Sequence, residues 1–142
     1  MKHTSKTVYG LKFMLHLAST YNEGWLSLID VAEKESISVK FLENIVAAIK
    51  SKGLLKVKRG AHGGYSLSKS PSAISLKEIF EALEVNVFVS DTESEPNTAA
   101  DVVLYKIFNE LDVVIRKQLE SKTLADLLHD YELLKPGQMF YI

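Results

Sequence analysis

The chain has 142 residues, of which 46 % are apolar, enough for one globular domain or for a small domain with an appended helix. It contains no cysteine, which excludes disulfides, thiolate zinc sites and cysteine-ligated iron–sulphur clusters. We find neither an export signal nor the roughly 20 consecutive apolar residues of a membrane-spanning helix, and therefore expect a cytoplasmic protein.

The net charge of −1 conceals an uneven distribution of charge along the chain. Residues 1–75 carry 11 Lys and Arg against 5 Asp and Glu, whereas residues 76–142 carry 6 against 13. Seven basic side chains and a single acid, Glu43, lie between residues 38 and 69. This concentration is typical of a surface that binds a polyanion, although a lysine-rich solvated face would look the same.

Three helices are predicted in the first third of the chain. The first begins at Thr4 or Ser5 and ends near Gly24, since its apolar residues follow helical spacing. A short second helix is expected after Ser27, which forms a capping-box pattern with Asp30. Ser38 caps the third helix, which carries an apolar stripe and ends at Gly53. The second and third helices, joined by a tight turn, form a helix-turn-helix pattern.

A basic hairpin follows this helix pair. Residues 55–59 and 65–67 alternate as strands do, and we expect the Gly60, Gly63 and Gly64 cluster to supply the positive φ angles of a hairpin tip. A hairpin directly after a helix-turn-helix makes the winged form of this DNA-binding motif. The glycines alone are equally consistent with a hairpin that contacts no DNA.

The second half of the chain predicts further helices. Ser75 and Glu78 begin one of them, and a polar loop follows. A helix of about 20 residues then starts at Thr98, with an apolar face too broad for a solitary surface helix. It is either a core helix of the monomer or the contact of a twofold dimer. The dimer contact is expected to use Val103, Leu104, Ile107, Phe108, Leu111 and Ile115.

These elements predict a mainly α fold: a winged helix-turn-helix with a small β-hairpin wing and a long C-terminal dimerisation helix. The expected divisions are a DNA-binding domain at 1–85, a loop at 86–97, the dimerisation helix and a short last helix at 98–135, and an apolar tail at 136–142.

Several phrases together resemble the Rrf2 family of bacterial transcription regulators. They are the segments at 7–11, 37–43 and 74–79, the wing phrase Arg59-Gly60-x-x-Gly63-Gly64-Tyr65-x-Leu67, and the late segment at 123–127. The resemblance implies a homodimer that binds a partly palindromic site on double-stranded DNA. Several members hold an iron–sulphur cluster through three cysteines in the loop before the long helix. Here residues 86–100 contain neither cysteine nor histidine, so we expect no cofactor and no metal.

If the third helix enters the major groove, its N-terminal outer face would reach base edges. The residues on this face are Ser38, Lys40, Glu43 and Asn44. A lone carboxylate among cations is suited to accept a hydrogen bond from cytosine N4, although Glu43 in an ion pair with a nearby lysine explains it equally well.

The wing and the end of the third helix supply the remaining expected DNA contacts. Arg59 is suited to a narrow minor groove, where the negative potential is enhanced. Lys50, Lys56 and Lys58 are expected at phosphates. His62 at the wing tip either donates to a phosphate or is an exposed loop histidine with no role. Tyr65 completes the expected set.

The sequence ends in Met-Phe-Tyr-Ile. Among the cluster-free members of the family, the chain is most similar to those that regulate cysteine metabolism together with a cysteine synthase. Partners of that enzyme insert a C-terminal isoleucine carboxylate into its active site, which makes Phe140, Tyr141 and Ile142 a candidate partner-binding tail. The alternative is an apolar tail packed on the dimer.

Two other classes of function have less support in the sequence. An enzyme has little support, because the four histidines are scattered and no catalytic grouping or phosphate-binding loop is present. A protein-interaction module that acts through its tail or dimer helix without DNA is the main alternative to the expected function, a DNA-binding repressor.

Overall fold

The computed structural model describes residues 5–84 and 95–135. Six helices and one hairpin follow one another along these residues: α1 (Ser5–Ser19), α2 (Leu28–Lys34), α3 (Val39–Ser51), β1 (Leu55–Lys58), β2 (Gly64–Leu67), a short 3-10 turn (Pro71–Ala73), α4 (Leu76–Leu83), α5 (Ala99–Ser121) and α6 (Leu124–Leu133). The predicted winged helix-turn-helix fold with a long C-terminal helix is confirmed. Within these residues, none of the helices combines the length and the apolar character needed to cross a bilayer.

The core forms where α1, α3 and α4 pack against one another. Phe13 and Met14 of α1 are fully buried, as are Leu42 and Ile49 on the inner stripe of α3. Gly10 allows the close approach of α1 to α4, because a Cβ atom at this position would lie 2.5 Å from a methyl carbon of Leu83. The outer face of α3, opposite its buried stripe, is left to solvent.

Most of the predicted helix starts form as expected. The hydroxyl of Ser38 accepts a hydrogen bond from the backbone N–H of Phe41, at 3.0 Å. Reciprocal capping boxes begin α4, α5 and α6 at Ser75, Thr98 and Thr123. These bonds satisfy backbone donors that have no partner within the helix.

The predicted capping box at Ser27 is wrong. Ser27 adopts the extended backbone of an N-cap residue, but its side chain makes no capping hydrogen bond. The short helix α2 is held instead by tertiary packing, since Leu28, Val31 and Ala32 are all buried. In a helix of two turns this packing contributes more than a cap does.

The two strands form an antiparallel hairpin in which Leu55 pairs with Leu67 and Val57 with Tyr65. Strand β1 ends one residue earlier than predicted, and strand β2 begins one residue earlier than predicted. Gly60 and Gly64 have positive φ, as expected, but Gly63 does not. Gly63 is required for space instead, because a Cβ atom there would clash with the carbonyl oxygen of Lys58.

The C-terminal helices are joined to the winged half by a short backbone bridge. The N–H of Leu76 donates to the carbonyl of Lys122 and the N–H of Leu124 donates to that of Ile74, each at 2.9 Å. Leu124 is fully buried in the same core cluster as the winged-helix residues. The α5–α6 junction is thereby fixed against the start of α4, and α6 packs on α1.

Candidate nucleic-acid interface

The N-terminal outer face of α3 presents a compact set of polar groups. Ser38, Lys40, Glu43 and Asn44 are all exposed. Ser38 uses its oxygen to cap the helix, which leaves its hydroxyl hydrogen free to donate to an external acceptor. Within residues 5–84 and 95–135, Glu43 makes no ion pair, so no lysine holds its carboxylate. The carboxylate of Glu43 and the amide of Asn44 are therefore exposed on the same helix end as the ammonium group of Lys40.

Two cations of the wing, Lys56 and Lys58, lie on one face of β1. Because successive strand residues point to opposite faces, Lys56 and Lys58 share the outward face, opposite Leu55 and Val57. Arg59 directly follows β1 and is exposed, as is His62 in the hairpin turn. The wing is thus a basic ribbon with its charges turned away from the core.

Tyr65 is placed differently from the other expected DNA contacts. Its side chain is half-buried, and its ring stands edge-on to Phe13 at a centroid distance of 5.8 Å. Its backbone exchanges two hydrogen bonds of 2.9 Å with Leu26. Tyr65 therefore attaches the hairpin to the domain through its backbone bonds with Leu26 and its ring contact with Phe13.

Lys50 lies at the C-terminal end of α3. It is exposed, ten residues beyond Lys40, which corresponds to about 15 Å along the helix axis. The separation sets Lys50 apart from the N-terminal end of α3, where the base contacts are expected.

Two aromatic residues that the sequence interpretation omitted lie beside this surface. Phe41 of α3 is exposed and lies edge-on to Tyr9 of α1, with ring centroids 6.0 Å apart. The ammonium group of Lys12 lies 5.1 Å from the Tyr9 ring centroid. Phe41 could have been found from its position, since it lies outside the apolar stripe of α3, but its contact with α1 required the fold.

The turn of the helix-turn-helix is anchored to α1 through Glu35, the C-cap residue of α2. Lys12 Nζ lies 3.1 Å from one carboxylate oxygen of Glu35, and His16 Nε2 lies 2.8 Å from the other. Burial acts to raise the pKa of Glu35, but the hydrogen bonds and charges of His16 and Lys12 outweigh it and hold this pKa below its ordinary value. The anchor ties the turn before α3 to α1.

The face of α5 predicted to form a dimer is uncovered in the single chain. Val103, Leu104, Ile107 and Leu111 are exposed, whereas Phe108 and Ile115 are partly buried. An exposed apolar strip on a 23-residue helix is typical of a surface that binds a partner. The candidate tail at Phe140, Tyr141 and Ile142, and most of the loop at 86–97, lie outside the described residues.

Comparison with known proteins places these features in a family. The family model Rrf2, described as an iron-dependent transcriptional regulator, matches residues 3–130. The HTH-type transcriptional regulator CymR of Bacillus subtilis is 32 % identical over 142 residues, which cover all of both chains.

Solved structures agree with that assignment. The structure of CymR, titled the global cysteine regulator of B. subtilis, has a TM-score of 0.75 at 32 % identity and covers 91 % of this chain and 97 % of its own. IscR of T. potens has a TM-score of 0.78 at 31 % identity, with 100 % and 97 % covered. The chain belongs to the Rrf2 family of DNA-binding, winged-helix transcription regulators.

Proposed function

We propose that this protein is a homodimeric, sequence-specific repressor of transcription that binds a partly palindromic DNA site. The observation that carries the proposal is the exposed set of Lys40, Glu43 and Asn44 on a capped helix, beside a basic hairpin that is bonded to the same domain. A dimer seated over a promoter represses by occupying DNA that polymerase needs, and this requires no further contact surface. Such a role places the protein in the cytoplasm with the chromosome.

In this proposal, α3 and the wing contact different parts of the DNA. The N-terminal end of α3 enters the major groove, where Glu43 accepts from cytosine N4 and Ser38, Lys40 and Asn44 contact neighbouring base edges. Arg59 enters the adjoining minor groove. Lys50, Lys56, Lys58 and His62 meet phosphates and position the protein without reading sequence. Tyr65 acts through the hairpin, whose place in the fold it fixes.

The dimer forms through α5. In the single chain its apolar strip is exposed, and a twofold partner presenting the same strip would cover it. Two recognition helices related by this axis would read half-sites about one turn of DNA apart, roughly 34–36 Å. The palindromic character of the site follows from that symmetry.

The signal that controls binding does not come through a cysteine-ligated cluster. The sequence has no cysteine, and residues 5–84 and 95–135 contain no group of three or more His, Asp or Glu side chains able to hold a metal. The family model is described as iron-dependent, whereas this chain contains none of the cysteine thiolates that hold iron–sulphur clusters. A metabolite or a protein partner remains as the source of the signal.

We assign the regulated genes to cysteine or sulphur metabolism. The support is the likeness over the full chain to CymR, whose structure is titled the global cysteine regulator of its organism. The proposed partner is a cysteine synthase, bound through Phe140, Tyr141 and Ile142. Recovery of the synthase from a lysate by the full chain, but not by a chain lacking Ile142, tests this; equal recovery by both contradicts it.

Selection of bound fragments from the source genome by the purified full chain tests the DNA-binding proposal. Enrichment of a palindromic site upstream of sulphur-metabolism genes, followed by electrophoretic retention of that site, is expected. No retention of any fragment, together with tight binding to a cysteine synthase, would instead establish an interaction module that works without DNA.

A further inference from the structure

Phe41 is an aromatic side chain on the recognition helix that the core does not use. It lies 38 % exposed on the first turn of α3, next to buried Leu42. One residue corresponds to 100° around a helix, so Phe41 flanks the buried stripe, and Asn44 is its neighbour one turn further along. The ring thus borders the polar surface that faces the DNA in the proposed function.

The ring is held in place from α1. It stands edge-on to Tyr9 at 6.0 Å and an interplanar angle of 81°, a favourable geometry for two aromatic rings. Tyr9 is in turn covered by the Lys12 ammonium, and Lys12 is paired with Glu35 at 3.1 Å. A side chain ordered before binding loses little conformational entropy when a ligand packs on it.

We propose that Phe41 reads a thymine in each half-site by packing on its C5 methyl group, an inference that rests on the proposed function. A phenyl ring carries no hydrogen-bonding group, so it gains nothing from the donors and acceptors of base edges. Thymine alone presents an apolar group in the major groove. Burying that methyl against a ring that is already ordered removes apolar surface from water on both sides.

The contact adds a kind of recognition that Glu43 and Asn44 lack. Glu43 and Asn44 distinguish bases by hydrogen bonding, which does not separate thymine from uracil, because the two present the same O4 acceptor. Sensitivity to the methyl alone is therefore a signature of Phe41 that loss of Glu43 or Asn44 does not imitate.

The test uses the full chain and the duplex it binds most tightly from a random-sequence library. Each thymine of that duplex is replaced in turn by uracil, and the dissociation constant is measured by fluorescence anisotropy. One thymine in each half-site is expected to show about fourfold weaker binding on replacement, the loss for one methyl withdrawn from an apolar contact. In Phe41→Ala the same replacement is expected to have no effect.

A matched control is Val57→Ala, which removes an equally exposed apolar side chain, at 39 %, from the wing. It is expected to keep the full uracil penalty, whatever its own affinity. If Phe41→Ala fails to fold, a cross-linking experiment with the wild-type chain tests the same contact. The sensitive thymine is replaced by 5-iodouracil, which on irradiation should cross-link to the peptide that carries Phe41.

Selective DNA binding with every thymine tolerating uracil, an equal penalty in Phe41→Ala, or a cross-link confined to another peptide would overturn the inference and leave the proposed function intact. Absence of sequence-selective binding to any duplex would overturn the proposed function, and this inference with it.

Discussion

The backbone N–H of Tyr65 donates to the carbonyl of Leu26, and the N–H of Leu26 donates back to the carbonyl of Tyr65, both at 2.9 Å. Leu26 lies just before α2 and Tyr65 lies in β2, so this pair bonds the wing to the helix-turn-helix. The wing and the recognition helix are consequently presented to a ligand in one fixed arrangement, which lowers the entropy lost on binding.

Gly64→Ala should detach the wing. Gly64 has a φ of +152°, and a Cβ atom there would clash with the carbonyl oxygen of Leu26. Backbone strain alone costs about 1–3 kcal/mol, and the clash adds to it by breaking the Leu26–Tyr65 pair. We expect a lower free energy of unfolding in urea and faster hydrogen exchange at the Leu26 and Tyr65 amides.

Gly60→Ala is the control. Gly60 also has positive φ, but a Cβ atom there would meet open space, so this substitution should cost backbone strain only. Equal losses in the two variants would contradict the role of the close approach.

Glu43→Ala should relax base preference at one position of each half-site. The carboxylate is exposed and, among the described residues, has no ion-pair partner, so its removal leaves the fold unchanged. Discrimination of about 1–3 kcal/mol against the wrong base pair should be lost, while binding to nonspecific DNA stays equal or tightens, because a negative charge near phosphates is removed. Competition binding with single-base variants of the selected site measures this. A uniform loss of affinity for every sequence would contradict it.

Lys56→Ala should reduce the salt dependence of DNA binding. Each phosphate contact contributes about 0.9 to the slope of log K against log salt, so a dimer that loses two contacts should lose about 1.8. The measurement is a titration of affinity between low and moderate salt concentrations. Lys117→Ala, which removes an exposed lysine from α5, is the control and should leave the slope unchanged. An unchanged slope for Lys56→Ala would place that side chain away from the DNA.

Lowering the pH should reduce the free energy of unfolding through protonation of Glu35. Burial acts against its charged form, but hydrogen bonds and charges from His16 and Lys12 prevail and lower its pKa from 4.5. A carboxyl with a lowered folded-state pKa adds stability that is complete above the unfolded pKa, about 4.5, and is lost as the pH falls through the folded value. The free energy of unfolding should therefore fall below about pH 5, and less so in Glu35→Gln.

Glu78 gives an independent comparison for that measurement. Burial again opposes the charge, and bonds from Lys69 and Ser75 lower its pKa. The two sites share no bonding partner, so the effects of Glu35→Gln and Glu78→Gln should be additive. An acid limb of the stability profile that is unchanged in the Glu35→Gln variant would show that its pair with Lys12 and His16 contributes nothing.

The parts of the fold that local chemistry determines were predictable from the sequence. Ser38, Ser75 and Thr98 cap helices because a hydroxyl three residues before a backbone donor acts within one turn, whatever the tertiary structure. Ser27 has the same pattern, but its hydroxyl makes no capping bond, and the packing of α2 holds that helix instead.

The parts that depend on distant contacts were not predictable. Gly63 was interpreted as a positive-φ residue, but the demand on it is the approach of the Lys58 carbonyl, which no local rule gives. Tyr65 alternates with its neighbours as any strand residue does, and only the fold sets its ring against Phe13. Phe41 has an apolar side chain outside the apolar stripe of α3, and only the fold sets its ring against Tyr9.

Leu104→Glu should convert the proposed dimer into a monomer. Leu104 is 50 % exposed on α5 in the single chain, so a charged side chain is tolerated by the isolated fold but would be desolvated in the proposed twofold contact. Sedimentation velocity should show half the mass of the wild type, and affinity for the palindromic site should fall steeply because the two half-sites are no longer bound as a unit. Circular dichroism should report an unchanged helix content. Ile29→Glu is the matched control, since Ile29 is 55 % exposed on α2, away from α5, and it should remain dimeric. A Leu104→Glu variant that sediments as the wild type does would move the dimer contact away from this strip.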